Sequence, residues 1–411
     1  MRRFLGLTAL ACCAVPAHAG DFTFRSDLLL ATTHIEAATS DINVGPDRLP
    51  SQTRVYASLR PDLKWKTDRW LLLLSPRGEV SWTEYHDDPQ AAVLPPGTPP
   101  PDPLPPPPED PDQTDSDGSI HEAIVRYSPL KGLFLSVGRE NLQWGPSYLV
   151  SASNPFIQDN GRNNPSREVP GLDYAKVTWL MGGGWGLAAI ANLDSGELDW
   201  EGDYLRQYAL KLDYTGNRAY FSLIPSYRES PDDTDPAIET EDDYRVGTYA
   251  GWTVSEALLL YTEGSYRSVG DAYAALAGGA YTFRGGTNLA LEYYHNSDGC
   301  TLEPYIECLQ SGQVAPDPAQ GGTMNALSGL TRRNYVLMQL LDHSRLERWD
   351  FTLRWIYGVD DSASQVVGVI DYDASNSVRL FLIGSGFFGG DDTEYQSVID
   401  SYVSLGLRFS F

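Results

Sequence analysis

Histidine, cysteine and serine are the side chains that most often carry catalysis or bind metals, and this sequence does not arrange them for either purpose. The histidines are few and widely separated, with no Gly-x-Ser-x-Gly nucleophile elbow and no metal-ligand spacing. Cys300 and Cys308 are close in sequence, and such a pair in an exported protein usually forms a disulfide within one loop. A zinc site would need more ligands beside them than His295. We therefore predict no enzymatic activity, no cofactor and no metal site.

Basic side chains recur at positions that alternate with large apolar ones. In the stretch 347–357, every second residue is apolar, and Arg348 and Arg354 lie between these apolar positions. Neighbouring residues of a β-strand point to opposite faces, so one face of such a strand is apolar and the other is charged. The same test assigns ten basic residues to the charged face: Arg126, Lys176, Lys211, Arg218, Arg267, Arg284, Arg348, Arg354, Arg379 and Arg408. Fewer acidic residues fall on it: Glu122, Asp213, Glu263, Glu292, Asp350 and Asp371.

This alternation recurs in segments of about ten residues separated by turn residues, which is typical of transmembrane β-barrels. We predict about eighteen strands, with sixteen as the alternative, starting near residues 22, 52, 69, 119, 132, 172, 184, 203, 217, 242, 256, 272, 287, 331, 347, 364, 377 and 395. Every second connection is a tight turn, and those between are mostly long and acidic. Short turns face the periplasm in bacterial barrels, and long loops face outward. The predicted fold is an all-β, antiparallel up-and-down barrel in the outer membrane, formed by residues 20–411 as a single domain.

The two ends of the sequence resemble export and assembly signals. Two arginines, an apolar run and small residues make residues 1–19 a predicted secretory signal peptide that is removed. The last residues alternate up to Phe411, with Phe409 and Gly406 before it, and resemble the C-terminal signal that the barrel-assembly machinery recognises. We expect this machinery, outer-membrane lipid and lipopolysaccharide to be partners, and we leave the oligomeric state open.

Composition excludes some partners and favours others. The chain has a formal net charge of −25, which makes it a poor candidate for nucleic-acid binding. Its 24 Tyr, 10 Trp and 38 Gly suit a barrel with aromatic girdles. Acidic residues concentrate in the predicted outer loops 87–118, which is rich in Pro and Asp, and 229–243; a third loop, 297–330, holds the cysteine pair. We interpret these as solvated loops; the alternative is that their carboxylates bind Ca²⁺ or bridge to lipopolysaccharide through divalent ions.

The connection 140–171 is rich in turn residues, yet it carries Trp144, Tyr148 and Phe156, which a freely solvated loop would not need. Long ordered loops are usually functional. We predict that this connection folds back into the barrel and narrows it. The alternative is an outer loop whose aromatic residues lie at the membrane girdle. The predicted constriction also includes three arginines: Arg139, Arg162 and Arg167.

Residues 138–146, Gly-Arg-Glu-Asn-Leu-Gln-Trp-Gly-Pro, resemble a segment of the capsule-assembly (Wzi-like) barrels. Related Gly-Arg and Trp-Gly patterns occur in alginate-export-type barrels. The resemblance implies an eighteen-stranded porin-type barrel and, for the alginate exporters, an arginine-rich pore that passes an anionic polysaccharide. Wzi-like proteins carry a helical bundle before the barrel, whereas a strand is predicted to start at Phe22 here. This difference weakens a lectin-like role more than a channel role.

Together these patterns predict a porin or exporter for anionic or polyhydroxylated solutes, such as saccharides or acidic polysaccharide, with passive passage through a basic lumen. Two alternatives remain open. The inward charges could serve only to pair with one another, because Arg or Lys on the lipid face costs about 2–4 kcal/mol near the midplane. The chain could also be a surface polysaccharide-assembly or binding barrel that does not conduct.

Overall fold

The protein was analysed as a computed structural model that describes residues 20–40, 43, 49–86, 112–148, 150–156, 171–194, 196, 206–229, 242–310 and 330–411. The predicted signal peptide lies outside these residues. Eighteen strands form one closed antiparallel sheet, as predicted. They are β1 (Asp21–Ala37), β2 (Gln52–Lys66), β3 (Trp70–Tyr85), β4 (Asp112–Leu130), β5 (Leu133–Glu140), β6 (Leu172–Gly182), β7 (Trp185–Asp194), β8 (Gln207–Thr215), β9 (Ala219–Arg228), β10 (Asp243–Thr253), β11 (Leu258–Arg267), β12 (Ala272–Thr282), β13 (Asn288–Asn296), β14 (Asn334–Leu346), β15 (Trp349–Gly358), β16 (Ser364–Ser375), β17 (Val378–Phe388) and β18 (Ile399–Ser410).

One strand begins well before its predicted start. The Pro/Asp-rich loop was expected to extend to residue 118, but β4 already begins at Asp112. Its polar first half pairs in register with β3, with Asp117 opposite Glu79 and Asp115 opposite Ser81. The part of a strand that extends beyond the membrane needs no apolar outer face, so its sequence lacks the alternation of apolar and polar residues that marks a strand. The remainder of this predicted loop, 87–111, lies outside the described residues.

Helical structure is sparse in the described part of the chain. A 3₁₀ turn spans Val269–Asp271, and the short helix α1 spans Tyr305–Gln310. Neither this helix nor any other in the described residues is long and apolar enough to cross a membrane.

The outer face of the barrel is apolar and the inner face is mixed. Large apolar side chains point outward at alternate positions; Leu353 of β15 and Leu405 of β18, for example, are 40% and 55% exposed. Their neighbours Arg354 and Ser404 point inward and are buried. This strict alternation matches the two solvents of a transmembrane barrel, with lipid outside and a polar lumen inside.

Pairing between β18 and β1 closes the barrel, from Asp27 opposite Ser410 to Thr33 opposite Ser404 and beyond. Gly406 faces inward at a point where an added Cβ would lie 2.4 Å from the ring of Phe381, so the missing side chain lets this ring pack against β18. Phe409 and Phe411 have ring centroids 5.6 Å apart. The proposed role of these three terminal residues in assembly stays a prediction.

The two rims of the barrel differ in their connections. At one rim, called the turn rim here, β2–β3, β4–β5 and β6–β7 are joined by tight turns, as are the later pairs up to β16–β17, and β1 begins there. The opposite rim, called the loop rim, carries most of the long connections, including the one between β5 and β6. Tight turns face the periplasm in bacterial barrels, so we assign the loop rim to the cell exterior.

The alternation predicts a sharp contrast between two adjacent substitutions near the middle of β15. Leu353→Arg places a charge in lipid and should lower the free energy of unfolding by about 2–4 kcal/mol. Thr352→Arg places the same side chain in the lumen, where it should cost much less. Equilibrium unfolding by guanidinium in lipid vesicles measures both, and equal losses would contradict the assignment of faces.

Candidate functional site

The connection after β5 turns into the barrel. We call its described part, residues 141–148 and 150–156, the inner segment. Its serines at 147, 151 and 153 are completely buried, and Phe156 is almost so. The segment lies against the inner faces of strands from β6 to β13. Two carboxylates of the barrel wall, Glu292 and Glu263, accept hydrogen bonds from it.

Glu292 of β13 holds the first half of the inner segment. Its carboxylate accepts hydrogen bonds from Ser147 Oγ and from the backbone N–H of Tyr148, both at 3.0 Å. The hydroxyl of Tyr261, on β11, donates to the same carboxylate at 2.6 Å. Glu292 is only 3% exposed, and these three donors compensate for the cost of burying its carboxylate.

Glu263 of β11 holds the second half. One carboxylate oxygen accepts from Ser151 Oγ at 2.6 Å, from Ser153 N at 2.9 Å and from Ser153 Oγ at 2.8 Å. Arg245 of β10 adds a hydrogen bond of 2.8 Å to the carbonyl of Ala152. The segment is therefore attached by charge-assisted hydrogen bonds, which are stronger than neutral ones.

Two glycines allow the segment to approach the wall this closely. Gly145 has φ +83°, and an added Cβ would lie 2.4 Å from the Glu263 carboxylate. Gly247 of β10 faces Ser153, whose carbonyl oxygen would lie 2.2 Å from an added Cβ. A side chain at either position would displace the segment from the wall.

Aromatic residues fill the space at the other end of the segment. Trp144 packs edge-on against Phe156, and Phe156 packs edge-on against Tyr174 of β6, with centroids 5.5 and 5.2 Å apart. The ammonium of Lys211 lies over the rings of Trp144 and Tyr249, at 5.5 and 5.4 Å. These contacts cover one side of the lumen with apolar surface.

Loops at the loop rim form a second layer above the inner segment. We call this layer, which includes residues 300–308, 330–332, 361 and 394, the rim platform. Cys300 and Cys308 form a disulfide there, and buried Arg332 pairs with Asp361 at 2.9 Å. Glu394 accepts hydrogen bonds from the backbone and hydroxyl of Thr331, at 2.7 and 2.6 Å. Burial raises the pKa of Glu394 to about 7.

The opposite side of the lumen is lined by β1–β4, whose inner face we call the open wall. In a ring of eighteen strands, β2 lies half way round from β11, which carries Glu263. A cavity of about 560 Å³, the upper pocket, lies on this wall toward the loop rim. Its lining residues come mainly from β1–β4: Thr33, Ile35, Gln52, Arg54, Tyr56, Arg60, Glu79, Ser81, Thr83, Tyr85, Gln113, Asp115 and, from β18, Tyr402.

A second cavity of about 510 Å³, the lower pocket, lies below the first. It is lined by Thr23, Arg25, Asp62, Lys64, Leu73, Ser75, Arg77, His121, Glu122 and Asn141. Because Asn141 begins the inner segment, this pocket lies where the segment and the open wall face each other. Its lining holds three permanent cations against two carboxylates, and Arg77 pairs with Asp62 at 3.2 Å, so the exposed cations Arg25 and Lys64 give this pocket a positive surplus.

Basic residues of the two sides differ in exposure. On the covered side, Lys211 and Arg245 are buried, at 8% and 9% exposure. On the open wall, Arg25 and Lys64 are exposed to the lumen, and the side chain of Arg54 is 47% exposed although it pairs with Glu79. Among these five residues, Arg25, Lys64 and Arg54 of the open wall are accessible from the lumen, and Lys211 and Arg245 are not.

The predicted pore-lining residues fall into several groups in the structure. Arg126 and Lys176 both pair with Glu140, Lys211 pairs with Asp213, Arg267 pairs with Asp298 and Arg379 pairs with Asp373. Arg354 donates to Gln339 and is buried, while Arg408 lies on the inner face of β18 beside β17. Three residues require correction, because they lie in turns at the turn rim instead of on the wall: Arg218, Arg284 and Arg348.

The predicted constriction residues also separate. Trp144, Tyr148 and Phe156 belong to the inner segment, which lies inside the barrel. Arg139 does not: it lies at the end of β5 and forms two hydrogen bonds with Asp173 of β6, at 2.8 and 3.0 Å. Arg139 points to the outer face of β5, so its contacts join the ends of β5 and β6 and do not narrow the lumen. The other two predicted arginines, Arg162 and Arg167, lie outside the described residues.

The sequence interpretation missed the basic residues of the open wall. Arg25, Arg54, Arg60, Lys64 and Arg77 were not assigned to the lumen, although residues 52–66 alternate with the same period of two. The signal was weakened by Pro61, since proline inside a strand usually argues against a central strand. Applying the parity test across this proline recovers the three of these residues that lie on β2: Arg54, Arg60 and Lys64.

In the described part of the chain, no group of three or more His, Cys, Asp or Glu side chains is placed to hold a metal ion.

Comparisons with known proteins concern the fold. No family model matches the chain, and no curated protein sequence matches it. Solved structures match it over nearly its whole length: OccK7 (OpdD) of Pseudomonas aeruginosa has a TM-score of 0.53 at 11% identity, covering 95% of this chain and 99% of the other. OccAB3 of Acinetobacter baumannii has a TM-score of 0.54 at 10% identity, covering 94% and 99%.

Wzi of Escherichia coli, an outer-membrane carbohydrate-binding β-barrel involved in group 1 capsule assembly, is similar to the same extent. Its TM-score is 0.54 at 10% identity, with 94% of this chain and 84% of Wzi covered. At identities this low, these structural similarities show the fold alone. The closed eighteen-stranded barrel with its apolar outer face is that of a bacterial outer-membrane protein.

Releasing the inner segment should widen the lumen. Glu263→Ala removes the acceptor of three hydrogen bonds, and Gly145→Ala introduces a Cβ against the same carboxylate. Both variants should expose the segment to chymotrypsin at its aromatic residues and raise single-channel conductance in planar bilayers. Asp371→Ala, on the inner face of β16, is the matched control and should change neither. Protease resistance equal to that of the wild type would show that Glu263 does not hold the segment.

Glu394 should make the stability of the rim platform depend on pH. Its pKa is raised from 4.5 to about 7 in the folded state, so the folded state binds this proton more tightly than the unfolded state does. The free energy of unfolding should therefore fall as pH rises from about 4.5 to about 7, by up to roughly 3 kcal/mol. Denaturant unfolding at a series of pH values measures this slope. Glu394→Gln should flatten it, and Asp391→Asn, an exposed position in the same loop, should leave it unchanged.

Proposed function

We propose that this protein is a passive outer-membrane channel that favours small anionic and polyhydroxylated solutes, and that it catalyses no reaction. The observation that carries the proposal is the asymmetry of the lumen. The inner segment covers one side, and the open wall presents the exposed cations Arg25 and Lys64 in the lower pocket, where Arg77 is paired with Asp62 at 3.2 Å. Solvent-exposed cations along a pore attract anions and repel cations.

The neutralised charges elsewhere support the same assignment. On the covered side, basic residues such as Lys211 and Lys176 are largely buried and paired with carboxylates, as in the Lys176–Glu140 pair at 2.5 Å. Such pairs contribute little net potential to the lumen. The positive surplus of the lower pocket therefore dominates the field that a passing ion meets.

A second candidate function is a surface barrel that assembles or binds polysaccharide without conducting. The fold is shared with the carbohydrate-binding barrel Wzi, and residues 138–146 carry the capsule-assembly resemblance. The upper pocket, which is polar and partly aromatic, is compatible with this role. Measurable ion conductance separates the two candidates, because a binding barrel of this kind should be closed.

Charge reversal in the lower pocket tests the channel. The wild-type protein in a planar bilayer under a KCl gradient should show a reversal potential of anion-selective sign. Arg25→Glu combined with Lys64→Glu should shift the selectivity toward cations, because it replaces the positive surplus by a negative one. Arg284→Glu combined with Arg348→Glu makes the same change in net charge in the turns and should shift it much less. A cation-selective wild type, or equal shifts for both pairs, would refute the proposal.

A further inference from the structure

The upper pocket has a chemistry that differs from that of the lower one. Its charged lining residues are two cations, Arg54 and Arg60, and two carboxylates, Glu79 and Asp115, so the pocket as a whole is balanced. Arg54 and Glu79 are joined by a hydrogen bond of 2.8 Å. An anion gains little from such a pocket, whereas a neutral ligand with many hydroxyl groups finds both donors and acceptors in it.

The polar groups of the pocket are arranged in neighbouring rows. In the strand register Thr83 of β3 pairs with Gln113 of β4, and Gln52 of β2 pairs with Tyr85, two residues further along β3. Each amide offers two donors and an acceptor, and the threonine hydroxyl offers both. Vicinal hydroxyl groups of a sugar are also donors and acceptors at once, and they match a surface of this kind.

Two tyrosines add flat apolar surface to these polar groups. Tyr56 and Tyr85 line the pocket and are only partly buried, so parts of their rings face the cavity. The guanidinium of Arg54 lies over one face of the Tyr56 ring, 5.8 Å from its centroid. Tyr85 is at the loop-rim end of β3, where a ligand entering from the exterior arrives first. An aromatic face beside convergent hydrogen-bonding groups suits the apolar C–H face of a pyranose ring.

We propose that the upper pocket is a binding subsite for neutral saccharide rings, located on the inner faces of β1–β4 just below the loop rim. Its volume of about 560 Å³ is within the usual range for small-ligand pockets. The inference rests on the proposed function, because it specifies saccharides as one class of solute for the channel. It places the recognition of hydroxyl groups in the upper pocket, above the cations of the lower pocket. A solute would meet the saccharide subsite first and the cations of the lower pocket second.

Arg54 has a positioning role in this subsite. It donates to Glu79 at 2.8 Å and to Ser81 at 3.0 Å, and these hydrogen bonds fix the carboxylate as an oriented acceptor. A preformed pair of this kind loses little side-chain entropy when a ligand binds. The subsite is therefore ready for a ligand without a change in the wall.

Binding of maltotriose to the purified barrel in detergent micelles tests the proposal. Isothermal titration calorimetry should detect the trisaccharide, and saturation-transfer NMR should show contact through its ring protons. Tyr85→Ala and Gln113→Ala should each weaken binding by about tenfold, the loss of one good interaction. Tyr281→Ala, a tyrosine on the lipid face of β12, is the matched control and should bind like the wild type. Heat-modifiable electrophoretic mobility verifies that every variant is folded.

Conductance recordings on the same preparations keep the two proposals separate. If the wild type is anion-selective but binds no maltotriose, or if Tyr85→Ala and Gln113→Ala bind it as well as the control does, the saccharide subsite is refuted and the channel stands. If maltotriose binds and both variants weaken it, but no conductance is measured, the subsite stands and the channel is refuted.

Discussion

Closure of the sheet between β18 and β1 is the interaction on which the rest of this structure depends. In lipid, an open edge would leave a row of backbone N–H and C=O groups without partners, at a cost of several kcal/mol for each. The register from Asp27 opposite Ser410 onward removes both edges at once. A closed ladder also fixes the face of every residue by its parity, so the apolar exterior and the charged lumen follow from the same hydrogen bonds.

The parts of the structure that obey this local rule could be predicted from sequence. The strand number, the tight turns and the inward position of Arg354 follow from a period of two. The side of the lumen that the inner segment covers could not be predicted, because the hydrogen bond from Ser151 to Glu263 joins residues 112 apart in sequence, and nothing local marks them as partners. Parity gives the face of a basic residue, but its neutralisation depends on carboxylates of other strands, such as Glu140 beside Lys176.

Two explanations of inward charge apply to different parts of the same lumen. From β4 to β9, and again at β16 and β17, basic side chains pair with carboxylates across the wall, as Arg379 does with Asp373. There they stabilise the barrel and contribute little field. On the open wall, Arg25 and Lys64 are exposed to the lumen, where water offsets their desolvation and their potential extends into the lumen. The asymmetry arises because the hydrogen bonds to Glu263 and Glu292 hold residues 147–153 of the inner segment against β11 and β13.

The stretch 138–146, which resembles capsule-assembly barrels, has an architectural role in this structure. Gly138 has φ +126°, and an added Cβ would lie 1.8 Å from the carbonyl oxygen of Ala123, so this point near the end of β5 requires glycine. Arg139 ties that strand end to Asp173, and Gly145 lets the chain cross Glu263 at close range. Each residue type serves to turn a chain from the wall into the lumen, whatever passes through it. In this chain the stretch therefore acts through backbone geometry and the wall contacts of the inner segment, and none of these three residues lines the upper or the lower pocket.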